Sequence, residues 1–219
     1  MKNKESIKYI TVVAMFAALA YAAMLLGKLV PNVAGFLSYD PKDVVIVIAG
    51  FIFGPATSAL LAALVSVIEM LTVSGTGLIG LLMNLLSTCA FALPAVFIYK
   101  RKRTRAGAVL GLLCGVLCMA AVMVLWNYII TPLYMNVPRE TVAGKLLPVF
   151  LPFNLVKGGI NAAIAFLVYK PVVGALRKSG LVKERESGAK GRFGLVPTVI
   201  ALAALATLVL LLLALAKVI

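Results

Sequence analysis

Asn154 and Lys157 stand three residues apart inside the apolar run Phe150-Leu-Pro-Phe-Asn-Leu-Val-Lys-Gly-Gly-Ile160. On a helix, that spacing puts the amide and the ammonium on one face. An ammonium in hydrocarbon is costly unless it is paired, hydrated or snorkelled, so an intramembrane lysine marks a functional site by default. The chemistry on offer is recognition: an amide supplies a donor and an acceptor, and a lysine donates to carbonyl oxygens. The structural alternative is a lysine whose stem runs along the helix to the nearer headgroups.

Several other polar side chains could share that site. Asn84 lies within an apolar run, and Asn127 sits in Trp126-Asn127-Tyr128 at the end of another. Trp126 and Tyr128 suit an interfacial belt, whereas Asn127 can face the same cavity as Asn154 and Lys157. Glu69, shortly before Thr72-Val-Ser-Gly-Thr-Gly77, is expected close to the membrane surface and hydrated. The segment Pro31-Asn-Val-Ala-Gly-Phe-Leu-Ser-Tyr-Asp-Pro-Lys-Asp43 mixes turn formers, aromatics and carboxylates. In it Asp40 before Pro41 predicts a turn, and Asp43 is placed to cap the next helix. The whole loop, carrying Tyr39 and Asp40, reads as a lid over a pocket. Amides, one ammonium and aromatics suit a flat, neutral, hydrogen-bonding ligand better than an ion.

Catalysis finds little support. The chain has no histidine, which removes the usual general base and the commonest catalytic metal ligand. It has no phosphate-binding loop and no nucleophile elbow. Cys89, Cys114 and Cys118 all lie in apolar segments and read as small core residues, not as a metal site or a disulfide framework.

The elements that must position these residues are membrane helices. The chain is 63% hydrophobic and 13% charged, with a mean hydropathy of +1.10, far from the composition of soluble domains. Its net charge of +14 is clustered between apolar runs, as in cytoplasmic loops, which argues against nucleic acid as a partner and for membrane lipid. About twenty apolar residues span a bilayer. On that ruler helices are expected near 8–29, 43–53, 56–72, 78–99, 106–130 and 149–170, with a further one near 194–217. The run from Tyr9 to Gly27 is too long for a secretory signal and reads as the first membrane helix. Gly54-Pro55 should break 43–72 into two short helices. If the chain reverses there, Lys2, Lys4 and Lys8, the Lys100-Arg-Lys-Arg-Thr-Arg105 loop and the tail with Arg177, Lys178, Lys183, Arg185, Lys190 and Arg192 share the cytoplasmic side. The N-terminus is then cytoplasmic, and Lys28, Lys42, Arg139 and Lys145 fall outside.

Three regions follow. Residues 1–178 form a six-helix membrane domain. Residues 179–193 have the composition of a solvated, basic linker. Residues 194–219 hold an additional, nearly uniform Ala/Leu/Val span facing lipid. On the first helix Ala14, Ala18 and Ala22 recur at every fourth residue, a small-residue face that lets another helix approach closely; an ordinary alanine-rich helix has the same look.

Phe36-Leu-Ser-Tyr-Asp-Pro-Lys-Asp43, Gly50-Phe-Ile-Phe-Gly-Pro55, Gly80-Leu-Leu-Met-Asn84, Asn154-Leu-Val-Lys-Gly158 and Tyr169-Lys-Pro-Val-Val-Gly174 together resemble the riboflavin-specific substrate-binding subunits of energy-coupling factor (ECF) transporters, over residues 8–180. The resemblance implies an all-α integral membrane protein with a six-helix bundle and an outward flavin pocket gated by outer loops. It implies that Asn127, Asn154 and Lys157 hydrogen-bond the isoalloxazine edge of riboflavin, or of its phosphate FMN. It implies docking through Ala14, Ala18 and Ala22 on a transmembrane coupling subunit, with ATP hydrolysed by two separate ATPase subunits in a prokaryotic cell membrane. No enzymatic activity and no cofactor are implied for this chain. A relative selecting another vitamin, such as thiamine or folate, and a ligand-free membrane scaffold remain the alternatives, and the additional span departs from the family's six-helix pattern.

Overall fold

The computed structural model describes residues 2–35, 37–182 and 195–216, with backbone alone at 2–5, 195 and 196. The Lys2 and Lys4 side chains, Phe36, and Lys183, Arg185, Lys190 and Arg192 of the expected linker lie outside the described residues.

The described residues are nearly all helical, as the apolar runs require in a solvent where every backbone group must be satisfied internally. Helix α1 spans Lys2–Gly27, α2 Lys42–Phe53, α3 Pro55–Thr72, α4 Gly77–Lys102 and α5 Arg105–Ile129. Two short helices follow, α6 (Thr131–Met135) and α7 (Arg139–Lys145), then a π-helical turn, Leu146–Phe150, which runs into α8 (Leu151–Lys178). Helix α9 spans Leu195–Leu215. The described residues hold no strand, only an isolated antiparallel bridge between Val33 and Leu37.

The break at Gly54-Pro55 falls where expected. Gly54 has φ 108°, a left-handed conformation open to glycine, and Pro55 begins α3 at a position where its missing N–H costs nothing. The chain does reverse there. Ser58 Oγ donates to Ile46 O at 3.4 Å, and Lys42 meets Glu69 at the other end of the pair. Contacts twelve and twenty-seven residues apart in sequence cannot occur along one straight helix.

Side-chain bonds fix which ends lie together. Tyr9 OH and Thr57 Oγ1 are 2.7 Å apart, and Lys8 Nζ donates to Gly180 O at 3.4 Å. Those groups, with Gly54 and the Arg101–Arg105 turn, define a basic end of the bundle. Tyr21 OH donates to Thr72 Oγ1 at 2.9 Å toward the opposite end, which carries the α1–α2 loop. Among the described residues, six helical segments are long and apolar enough to cross a membrane: Ser6–Gly27, Pro55–Thr72, Gly77–Lys102, Arg105–Ile129, Arg139–Lys178 and Pro197–Leu215. The protein is a multi-pass membrane protein. Helix α2 is too short to cross alone, rising about 18 Å over its length; it is buried at almost every position and sits in the middle of the bundle.

The core around α2 is built from Phe16, Ile46, Leu61, Phe91, Val96 and Met119, all 3% exposed or less. Helices α4 and α5 come into backbone contact. A Cβ at Gly111 would stand 2.6 Å from Ala95 O, and one at Gly115 would strike Phe91 O. Small residues of this kind are how membrane helices gain close packing without a hydrophobic drive.

Candidate functional site

Helix α8 carries a polar stripe across the bundle: Asn154, Lys157 and Asn161 are 3%, 7% and 0% exposed. Their spacing of three and four residues keeps them on one face. Asn154 and Asn161 behave differently. Asn154 Nδ2 donates to Phe150 O of its own chain at 2.8 Å, and its Oδ1 accepts no hydrogen bond among the described residues. Asn161 is spent on the α1–α2 loop: its Nδ2 donates to Asp40 O at 2.9 Å and toward Asp43 Oδ2 at 3.4 Å, while its Oδ1 accepts from Tyr39 OH at 2.9 Å.

The loop side of the site is ionic. Lys42 is fully buried, with its ammonium bonded to Asp40 Oδ2 and to Glu69 Oε2, the latter at 2.7 Å. Lys28 reaches the other Glu69 oxygen at 3.3 Å. Asp43, also fully buried, accepts from Thr88 Oγ1 of α4 at 2.6 Å. Burial opposes ionisation of Asp40, but the Lys42 and Lys157 ammoniums outweigh it and hold this carboxyl below its ordinary range. Burial, with Asp43 and Asp40 adding, pushes the Tyr39 phenol up, so it stays protonated and able to donate to Asn161.

Lys157 is the exception in this cluster. Its charge is felt at both Asp40 and Asp43, yet its ammonium makes no hydrogen bond or ion pair among the described residues. An uncommitted ammonium on the same helix face as the open oxygen of Asn154 offers a donor and an acceptor to an incoming group.

The structure joins Tyr39, Asp40, Glu69 and Lys157 in one neighbourhood, as their residue types suggest. Their surroundings, and those of other candidates, depart from expectation at several positions. Glu69 is 3% exposed and ion-paired rather than hydrated, because two lysines converge on it. Asp43 caps no helix, since Pro41 holds the N-cap position with no side-chain cap bond; its carboxylate turns inward to Thr88 and Asn161. Asn127 is buried, but its Nδ2 donates to Met123 O at 2.6 Å and its Oδ1 accepts from Thr131 Oγ1 at 2.9 Å, so both ends are engaged at the α5–α6 corner. Asn84 is half-buried, and Trp126 is half-buried against the core. The three cysteines are free thiols of intermediate exposure. Ala14, Ala18 and Ala22 are all exposed along α1, while Ala17 and Ala20 face the core.

Three groups escape the sequence reading: Lys42, Thr88 and Asn161. Asn161 was legible, lying one turn beyond Lys157 on the same face. Lys42 was not, since a lysine between two aspartates after a proline has the look of a solvated turn.

A buried polar face on a bundle of this topology points to a class. The family model for the substrate-specific component of ECF transporters matches residues 8–169, and the chain belongs to that family. Its members are transporter subunits, not enzymes. The chain is 27% identical to the riboflavin transporter RibU of Staphylococcus aureus (strain TCH60) over 182 residues, which cover 80% of this chain and 96% of that protein. It is 28% identical to the riboflavin transporter FmnP of Bacillus subtilis (strain 168), over 74% of this chain and 90% of that one. A solved S component of a bacterial ECF transporter superposes with a TM-score of 0.66 at 28% identity, covering 81% of this chain and 99% of its own.

Proposed function

We propose that this chain captures riboflavin from outside the cell and delivers it inward when docked on the membrane coupling subunit of an ATP-driven importer. The observation that carries the reading is Lys157, 7% exposed, whose ammonium has no hydrogen-bond or ion-pair partner among the described residues, on the same helix face as the open amide oxygen of Asn154. Those two groups match the alternating carbonyls and ring N–H along one edge of an isoalloxazine. The names of the related transporters support the same ligand. Asn127, Asn84, Tyr39 and Trp126 flank the site in this reading, and Asp40 and Glu69 serve it by fixing the loop.

Residues 1–178 act as the binding unit, 179–193 as a basic cytoplasmic linker and 194–219 as an appended span, with the N-terminus cytoplasmic. The exposed Ala14, Ala18 and Ala22 face is the docking surface for the coupling subunit, and two separate ATPase subunits supply the energy. Capture itself needs no cofactor.

Titration of purified protein with riboflavin, read through Trp126 emission, tests the ligand. Riboflavin should quench it, and Lys157→Ala should weaken binding roughly 10- to 100-fold, the worth of a charged hydrogen bond. The same titration with FMN and thiamine ranks the rivals. Unchanged emission together with wild-type flavin retention in Lys157→Ala would overturn the assignment.

A further inference from the structure

Helix α9 lies beyond the stretch that matches the family, and importer capture as described leaves it without a task. Its contacts are not those of an idle lipid-facing span. Along most of its length it is exposed, but Leu212 is 4% exposed, packed with Phe153, Val156 and Ile160 of α8 and with Val33 of the α1–α2 loop. Leu205, Leu208 and Leu215 border the same cluster. The α9 set 205, 208, 212, 215 and the α8 set 153, 156, 160, 164 both step by threes and fours, the seam of two helices packed along their length. Leu208 lies over Gly159, where a Cβ would stand 2.9 Å from Leu208 Cδ1.

The apolar seam on α8 runs beside the polar one. Phe153, Val156 and Ile160 immediately precede Asn154, Lys157 and Asn161 in sequence, which turns the two stripes about 100° apart on the helix. The loop straddles both. Tyr39 bonds to Asn161 on the polar stripe, while Val33 is buried in the same apolar cluster as Leu212 and the α8 residues, with Val30, Leu37 and Tyr39 along its border. Between them the loop closes on itself: Val33 N donates to Leu37 O at 2.9 Å and Leu37 N to Val33 O at 3.0 Å.

We infer that α9 is an intramolecular strap, which holds the α1–α2 loop against α8 through the apolar cluster that buries Leu212 and Val33 together and so lengthens the time a bound ligand stays. The effect on residence time rests on the flavin-binding reading; the strap on the loop does not.

The test uses the full-length protein and four variants: Leu212→Ala, Val33→Ala, the double substitution, and Leu202→Ala on the exposed side of α9 as control. Hydrogen exchange at the Val33 and Leu37 amides of the ligand-free protein reads the strap directly. Exchange should quicken roughly tenfold in each single variant, with no further full step in the double because both changes loosen the same cluster. The control should match wild type. Release of riboflavin should quicken by a similar factor, with association little changed. If Leu212→Ala misfolds, Val33→Ala reads the cluster from the loop side. Unchanged exchange at Val33 and Leu37 in a folded Leu212→Ala or Val33→Ala protein overturns the strap. Failure of the wild type to bind riboflavin would overturn the ligand instead, leaving the exchange result to stand.

Discussion

Asn161→Ala separates a residue that positions the loop from one that merely fills the bundle. The substitution removes two hydrogen bonds of 2.9 Å, one to Asp40 O and one from Tyr39 OH, and weakens the longer approach to Asp43. Each of the first two is worth about 1 kcal/mol net. Loss of about 2 kcal/mol from the closed arrangement makes an open loop roughly thirtyfold more populated. Stopped-flow release of riboflavin should therefore accelerate by about that factor.

Two further variants make the reasoning stricter. Tyr39→Phe deletes one of the same bonds and should speed release roughly fivefold, from about 1 kcal/mol. Combined with Asn161→Ala it should add almost nothing, because the bond is already gone. Asn161→Asp should be worse than Asn161→Ala, since it sets a third carboxylate against Asp40 and Asp43 in a buried place. Release within twofold of wild type in a folded Asn161→Ala protein would refute the account, whatever happened to its melting temperature.

Lys42→Met leaves Asp40 and Glu69 buried without their shared ammonium and should cost about 3–5 kcal/mol, seen as a lower thermal midpoint in detergent; adding Asp40→Asn and Glu69→Gln should recover most of it. Asp40 is held below its ordinary value of 3.8, so its contribution is complete above that value and is lost only as the pH falls through the lower folded one. Melting of the wild type between pH 8 and 5 should accordingly show no Asp40 step, while Lys42→Met should gain relative stability on acidification. Gly111→Val drives a side chain onto Ala95 O and should lower the thermal midpoint by the equivalent of about 1–3 kcal/mol. Ala18→Trp should abolish uptake in cells carrying the coupling module while purified protein still binds riboflavin; wild-type uptake would remove the docking surface from consideration, and loss of binding as well would point to misfolding instead.

Helix positions were legible because apolar run length and the Gly54-Pro55 break are local signals. A bilayer forces each run into a helix, and proline forces the break, so tertiary context had little left to override. The α8 face was legible for the same reason, since spacing alone aligns Asn154 with Lys157. What the sequence concealed was pairing across the bundle. Lys42 looks solvated until α2 folds back along α3, because only that hairpin brings Glu69 to it. Asp43 looks like a helix cap until α4 brings Thr88 and α8 brings Asn161. Asn127 looks available until Thr131 turns the α5–α6 corner onto it. Each depends on a contact four to more than one hundred residues away, and neither composition nor periodicity carries that information.

The pairing also explains why so many charges are tolerated in one place. Lys28, Lys42 and Lys157 stand against Asp40, Asp43 and Glu69, three basic and three acidic side chains, so their formal charges balance. Within it the partners are already allotted. Glu69 takes Lys28 and Lys42, Asp40 takes Lys42, and Asp43 takes Thr88 and Asn161. Lys157 contributes at longer range without being consumed. A neutral ring that supplies a carbonyl oxygen can therefore satisfy Lys157 without leaving a net charge buried, whereas an anionic group brought to the same spot would upset a cluster whose formal charges already balance.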